Sequence, residues 1–261
     1  MPGTKLTAVP DDLFEHPRLA AVYDAVNSPR DDLDAYVAIV EELGARSVLD
    51  IGCGTGTFAC LLAARGLDVT AIEPAVASLE IARAKANAAS VRWLAGDVTS
   101  VPVLQVDVVT MTGNVAQVFL TDDAWASVLR RAATSLRTGG HLVLETRDPA
   151  QQAWREWNRD ATFRRVDIEG ASVVRTWVDV ADVALPLVTF TTTFVFESDG
   201  AVLTSASTLR FRTRDEIGET LIEAGFVVDD VRNAPDRPGL EFVFVATQAA
   251  AARQPGAVIS R

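Results

Sequence analysis

The chain has 261 residues, 49% hydrophobic and 23% charged, the balance of a globular protein with a sizeable core in one large domain or two small ones. Its formal net charge is −11, from 35 acidic against 24 basic residues, so on average it repels phosphate backbones and anionic membranes. A small neutral or cationic ligand is favoured instead. No apolar run approaches the ~20 residues of a bilayer span. The opening Met-Pro-Gly-Thr-Lys-Leu-Thr holds no apolar secretion core, which predicts a cytoplasmic protein.

Taken from the N-terminus, residues 1–12 carry Pro2, Gly3 and Pro10 and are expected to be disordered or loosely draped. Residues 16–27 and 31–43 both show helical spacing. Leu19, Val22, Tyr23 and Val26 share one face, as do Leu33, Tyr36, Val37 and Val40 in the second stretch, and Ser28-Pro29 separates the two.

Residues 48–56, Val-Leu-Asp-Ile-Gly-Cys-Gly-Thr-Gly, read as a buried strand running into a glycine turn, with a helix over 55–65 behind it. Glycines let the backbone lie directly against a ligand, and the free N–H groups of the helix face the same space. A dinucleotide fingerprint, G-x-G-x-x-G, would need its last glycine at Thr57, whereas the third glycine is Gly56. Asp50, just ahead of the turn, suits a ligand with an ammonium group better than a pyrophosphate. Cys53 and Cys60 read as packing residues, and with two separated histidines they offer too few ligands for zinc; no metal and no disulfide are expected.

Strands and helices then alternate to Arg147, the rhythm of a parallel sheet covered on both faces. Residues 68–73 form a second strand ending in Glu73. Residues 91–94 form a third, followed by Gly96-Asp97-Val98, and residues 107–111 a fourth, followed by Thr112-Gly113-Asn114. A fifth strand over 141–145 follows the Thr138-Gly139-Gly140 turn. The intervening helices are expected at 75–88 and 121–136, the latter capped by Thr121.

Asp50, Gly52, Gly54 and Gly56 match D-x-G-x-G-x-G, and with these later landmarks the chain resembles the class I S-adenosylmethionine-dependent methyltransferases of the small-molecule, actinobacterial-like type. The likeness runs motif by motif over about residues 45–148 and by pattern over 213–247. It implies S-adenosylmethionine as cofactor, held by Asp50, Gly52, Gly54, Gly56, Glu73, Asp97, Val98 and Thr112. Glu73 would accept from the ribose hydroxyls, Asp97 from the adenine amino group, and Val98 would offer its N–H to the ring. The implied fold is α/β: a Rossmann-like, doubly wound, seven-stranded, mostly parallel sheet.

The β-rich runs at 165–168, 172–180, 187–196 and 201–211, with a hairpin turn at Ser198-Asp199-Gly200, read as an antiparallel sheet inserted after the fifth strand. Thr213, Glu216, Ile217, Leu221, Ala224, Gly225 and Phe226 mark a helix before a sixth strand at 226–231, with a seventh at 242–246. The expected organisation is an N-terminal helical lid over 1–45 and a cofactor-binding core over 46–149 and 213–248. A substrate cap over 150–212 and a disordered tail over 249–261 complete it.

Catalytic candidates are Asn114, where this family places methyl and acceptor, and Tyr23 on the first lid helix; a loop cap and a core tyrosine are the plainer readings. Arg147, Trp154, Trp157 and Tyr36 are candidates for the acceptor, against an internal ion pair for Arg147 and core packing for the three aromatics. His141 starts the fifth strand at the wrong edge of the sheet for a base, and His16 heads the first lid helix. The predicted reaction is methyl transfer to N or O of a small-molecule acceptor, mainly by alignment, with no nucleic-acid or membrane partner and a homodimer left open. Alternatives are an RNA or protein methyltransferase, disfavoured by acidity and by Asn-Val-Ala-Gln at 114–117 in place of Asn-Pro-Pro-Tyr; a fold that binds cofactor without transfer; and a nicotinamide oxidoreductase.

Overall fold

A computed structural model describes residues 10–99, 102, 104–168 and 172–249. Of the stretches predicted to be disordered, 1–9 and 250–261 fall outside the described residues. Asp11 and Asp12 instead begin a helix, and the Ala249 N–H donates to the Gly225 carbonyl at 2.8 Å, so neither end of the described chain is loose there. In chain order the elements are α1 (Asp12–Glu15), α2 (Pro17–Val26), α3 (Asp32–Glu42), β1 (Ser47–Ile51), α4 (Thr57–Ala64), β2 (Asp68–Glu73), α5 (Val76–Arg83), β3 (Val91–Ala95), β4 (Val106–Met111), α6 (Asp122–Ser135) and β5 (Leu136–Arg147). After two 3₁₀ turns come α7 (Arg159–Thr162), β6 (Arg164–Ile168), β7 (Ser172–Ala184), β8 (Leu187–Phe196) and β9 (Val202–Arg210). The chain then returns through α8 (Arg214–Glu223), β10 (Phe226–Asn233) and β11 (Glu241–Gln248).

A seven-stranded sheet runs β10-β11-β5-β4-β1-β2-β3, and a separate four-stranded antiparallel sheet runs β6-β7-β8-β9. In the large sheet β1 to β5 are parallel, while β11 pairs antiparallel with both β5 and β10. Every residue of β1 is buried, as a central strand covered on both faces requires. One face packs on α6 and α8 through Trp125, Leu129, Ile217 and Leu221, and the other on α3 and α4 through Tyr36, Val40, Phe58 and Leu62.

The Rossmann-like sheet and the inserted antiparallel sheet stand where the sequence put them. Several bounds differ. The helix expected at 55–65 starts only at Thr57, because Gly56 is in the left-handed region at φ +75°. The Thr138–Gly140 turn lies inside β5 as a bulge: the pairing steps from Val106–Leu136 to Val108–His141. Pro17 opens α2, with His16 accepting from the Arg18 N–H at 3.2 Å as its N-cap.

The predicted lid divides between two hydrophobic clusters. Leu19 and Val22 of α2 are buried against Val174, Phe194 and Phe196 of the antiparallel sheet, whereas α3 joins the core beneath the large sheet. Thus α2 forms one packed layer with the cap. The same helix is tied to the glycine turn, where Asp24 accepts from the Thr55 hydroxyl at 2.6 Å and pairs with Lys85 at 2.6 Å. Among the described residues, no helix is long and apolar enough to cross a membrane.

Candidate active site

The order of the large sheet reverses at β1, with β2 on one side and β4 on the other, so the loops leaving these strands part and open a crevice. A cavity of about 630 Å³ occupies it. Its wall includes Asp50, Gly52 to Thr55, Glu73, Asp97, Val98, Thr112 and Gly113 from the strand ends. Tyr23 and Arg30 close it from the N-terminal side, and Ala206 and Thr208 of β9 from the cap.

The glycine turn is held by short bonds. Gly52 and Cys53 donate to the carbonyl of Ile72 at 2.9 and 3.1 Å, and Gly54 donates to the Glu73 carboxylate at 2.9 Å. A second Glu73 oxygen accepts from the Ala75 N–H at 3.0 Å. The three glycines differ in what surrounds them. A Cβ on Gly54 would enter open space, one on Gly52 would strike Val115, and one on Gly56 would strike Trp93 and Ala82. Gly56 is not among the residues lining the cavity, so its smallness serves packing behind the turn.

Asp50 is 1% exposed and accepts from the Thr110 hydroxyl at 2.8 Å. Burial pushes its carboxyl up to about 7, with the Thr110 bond pulling against it and the Glu73 charge adding to it. Burial also raises Glu73, against the two backbone bonds it accepts. Asp97 accepts from the N–H and hydroxyl of Thr99. Tyr23 lies at the wall with its ring 5.4 Å from Phe14, and its phenol is raised by burial.

The remaining candidates lie off the wall. Asn114, in the left-handed region at φ +63°, heads a 3₁₀ turn, is 5% exposed and donates to Glu241 at 3.3 Å, while its neighbours Gly113 and Val115 line the cavity. Tyr36 is 1% exposed, and its hydroxyl donates to Glu145. Burial, then the Glu241 charge, raises the Glu145 carboxyl. Arg147 donates to Gln117 at 2.9 Å and pairs with Glu241 at 3.4 Å on the neighbouring strand, the internal ion pair. Trp154 and Trp157 pack under the cap, with ring centroids 4.7 Å from Phe211 and 4.8 Å from Phe190. Burying large apolar area there outweighs any gain from lining a wet pocket.

Sequence reasoning missed Asp11, Phe14, Arg30, Ala206 and Thr208. Arg30 is the one cation on the wall among the described residues, against four acids: Asp11, Asp50, Glu73 and Asp97. Its guanidinium is gripped by Asp32 at 2.9 Å. The loop that carries it held no motif to mark it. S-adenosylmethionine, with a sulfonium, an ammonium, one carboxylate and a ribose, fits this donor and acceptor set and the space left open at Gly54.

A model of the family described as "Methyltransferase domain" matches residues 48–140. The cypemycin N-terminal methyltransferase of Streptomyces sp. is 34% identical over 133 residues, covering 49% of this chain and 54% of that protein. The chain thus spans about half the length of this curated relative. Among solved structures, the CcbJ methyltransferase from Streptomyces caelestis aligns with a TM-score of 0.72 at 24% identity, over 89% of this chain and 96% of that one. CalS10, an amino pentose methyltransferase from Micromonospora echinaspora solved with S-adenosylmethionine bound, aligns with a TM-score of 0.68 at 21% identity, over 88% and 95%. The two structural likenesses are of fold, and they run over most of the chain. By its glycine turn, its strand order and these matches, residues 48–140 are similar to a methyltransferase domain, and the fold is the Rossmann-like one of S-adenosylmethionine-dependent methyltransferases.

Proposed function

We propose that the protein transfers a methyl group from S-adenosylmethionine to a nitrogen or oxygen of a small-molecule acceptor. The observation that carries this is the single cavity wall that joins the glycine turn and the acids at the strand ends to Tyr23 of the lid and to β9 of the cap. Such a wall serves a cofactor and a small acceptor side by side. An acidic chain also disfavours nucleic-acid and membrane partners, and a cytoplasmic location belongs to the same reading.

In this reading Asp50 holds the cofactor's amino group, Glu73 its ribose and Asp97 with Val98 its adenine. Gly52, Gly54 and Thr112 border the methionyl end, Gly56 supports the turn from behind, and Arg30 meets the carboxylate. The bound cofactor supplies a methyl group that its sulfonium already makes electrophilic, so alignment, worth about 7–11 kcal/mol in well-oriented systems, is the main demand on the protein. Tyr23 is the catalytic candidate at the wall: among the described residues its hydroxyl has no hydrogen-bond partner, which leaves it to orient an acceptor. Asn114 acts through the loop it shapes, by setting Gly113 and Val115 against the cavity.

Thermal melting with S-adenosylmethionine, S-adenosylhomocysteine and NAD tests the cofactor. A native-state ligand at about 100 times its Kd adds about 2.7 kcal/mol. Shifts with both adenosyl compounds support the reading, and a shift with NAD alone overturns it. Labelled methyl donor then screens acceptors. The names of two likenesses, an amino pentose methyltransferase and a cypemycin N-terminal methyltransferase, set amino compounds first in that screen.

A further inference from the structure

Four acids line the cavity, and the proposed function employs three of them, Asp50, Glu73 and Asp97, which belong to the strand ends where the cofactor is read to lie. The fourth, Asp11, comes from elsewhere. It precedes α1, which abuts the edge of the cap: the Leu13 N–H donates to Ser205 of β9 at 2.8 Å, and Ser207 of the same strand pulls the Asp11 carboxyl down against the effect of burial. Among the described residues Asp11 has no cationic partner, and Asp12 beside it adds a like charge.

Its surroundings are aromatic and apolar. Phe14, one turn along, lies 5.4 Å from Tyr23, and both rings line the cavity together with Ala206. A half-buried carboxylate against such a wall is costly unless a cation joins it, and aromatic faces attract the same cation. Burial accordingly pushes the Asp11 carboxyl up. Arg30, the cation of the wall, is gripped by Asp32 instead.

We propose that Asp11, with Phe14 and Tyr23, forms the acceptor subsite and selects a small amine through its ammonium group, over an alcohol of the same shape. For transfer the ammonium gives one proton to the Asp11 carboxylate, leaving the nitrogen a lone pair to accept the methyl group. An alcohol would leave the carboxylate without a counter-charge, and an anionic acceptor would be repelled by it. This rests on the proposed methyl transfer and narrows its acceptor to nitrogen compounds. The net charge of −11 works in the same direction, drawing cations toward the cavity.

Cyclohexylamine and cyclohexanol are suitable probes because they share a ring and differ in one polar group. Their binding to protein saturated with S-adenosylhomocysteine, followed by ligand-observed NMR at pH 7.5, should favour the amine at least tenfold. Asp11→Asn should abolish that preference while S-adenosylhomocysteine affinity, read by calorimetry, stays within twofold. Equal or undetectable binding of the amine by the wild type, or a preference that survives in D11N, overturns the proposal. Failure of S-adenosylhomocysteine to bind the wild type overturns the methyltransferase reading, and this inference with it.

Discussion

Gly54 donates its backbone N–H to the Glu73 carboxylate at 2.9 Å, so the glycine turn after β1 and the acid ending β2 are one unit. Glu73 thereby has two tasks, fixing the turn and facing the cavity. Glu73→Ala should weaken S-adenosylhomocysteine binding by about 1.5–3 kcal/mol, the range for bonds to a charged group. Calorimetry checks this, and unchanged affinity would assign the ribose to another residue.

The glycines separate ligand space from packing space. Gly54→Ala points a methyl group into the open cavity, so cofactor affinity should collapse while melting falls only by the strain of a left-handed alanine, about 1–2 kcal/mol. Gly56→Ala collides with Trp93 and Ala82 and should lower melting further even without ligand. Paired melting and binding curves read both effects.

If Asp50 holds the cofactor's ammonium as proposed, cofactor binding should depend on pH. The Asp50 carboxyl titrates at about 7 in the ligand-free protein because burial penalises the charge. A bound ammonium favours the ionised form, so binding below pH 7 must expel a proton. Affinity should therefore rise by up to about tenfold per pH unit between pH 5 and 6.5, then level off above 7. Calorimetry at pH 6 in buffers of different ionisation enthalpy should show nearly one proton released, and Asp50→Asn should remove that release.

Arg30 is the sole wall cation among the described residues, and a carboxylate-bearing cofactor needs one. Arg30→Ala should cost about 1.5–3 kcal/mol of S-adenosylhomocysteine affinity. Decarboxylated S-adenosylmethionine, which lacks the carboxylate, should bind wild type and R30A alike. An equal loss for both ligands would place Arg30 outside carboxylate recognition.

Leu19 is 0% exposed and joins α2 to the cap through Phe194 and Phe196. Leu19→Ala should destabilise by about 2–5 kcal/mol, as core leucine truncations do. Breaking the exposed Arg18–Asp199 pair beside it should change melting far less. Denaturant unfolding of both variants tests whether packing, rather than the surface ion pair, joins lid to cap.

The strand-end wall of the cavity was legible in the sequence because it is local: Asp50 through Thr57 form one strand, turn and helix start, and Glu73 sits at the next strand end. Alternation of strands and helices likewise specifies the sheet, since parallel strands need crossovers of that length. Burial of Tyr36, Trp154 and Trp157 could not be read from spacing, because the same apolar stripe serves a pocket or a core. Only the packing of β5, β11 and the cap buries Tyr36 and Trp154 and half-buries Trp157.

The opposite wall of the cavity was decided by tertiary structure alone. Asp11, Phe14 and Arg30 precede the first strand, and Ala206 and Thr208 lie on a sheet inserted far downstream. No motif links them. They meet because α2 buries Leu19 and Val22 against the cap while Asp24 ties the same helix to Thr55 and Lys85 of the core. Local spacing specifies the glycine turn that opens onto the cavity; the wall facing it is assembled by burial of apolar surface between segments distant in sequence.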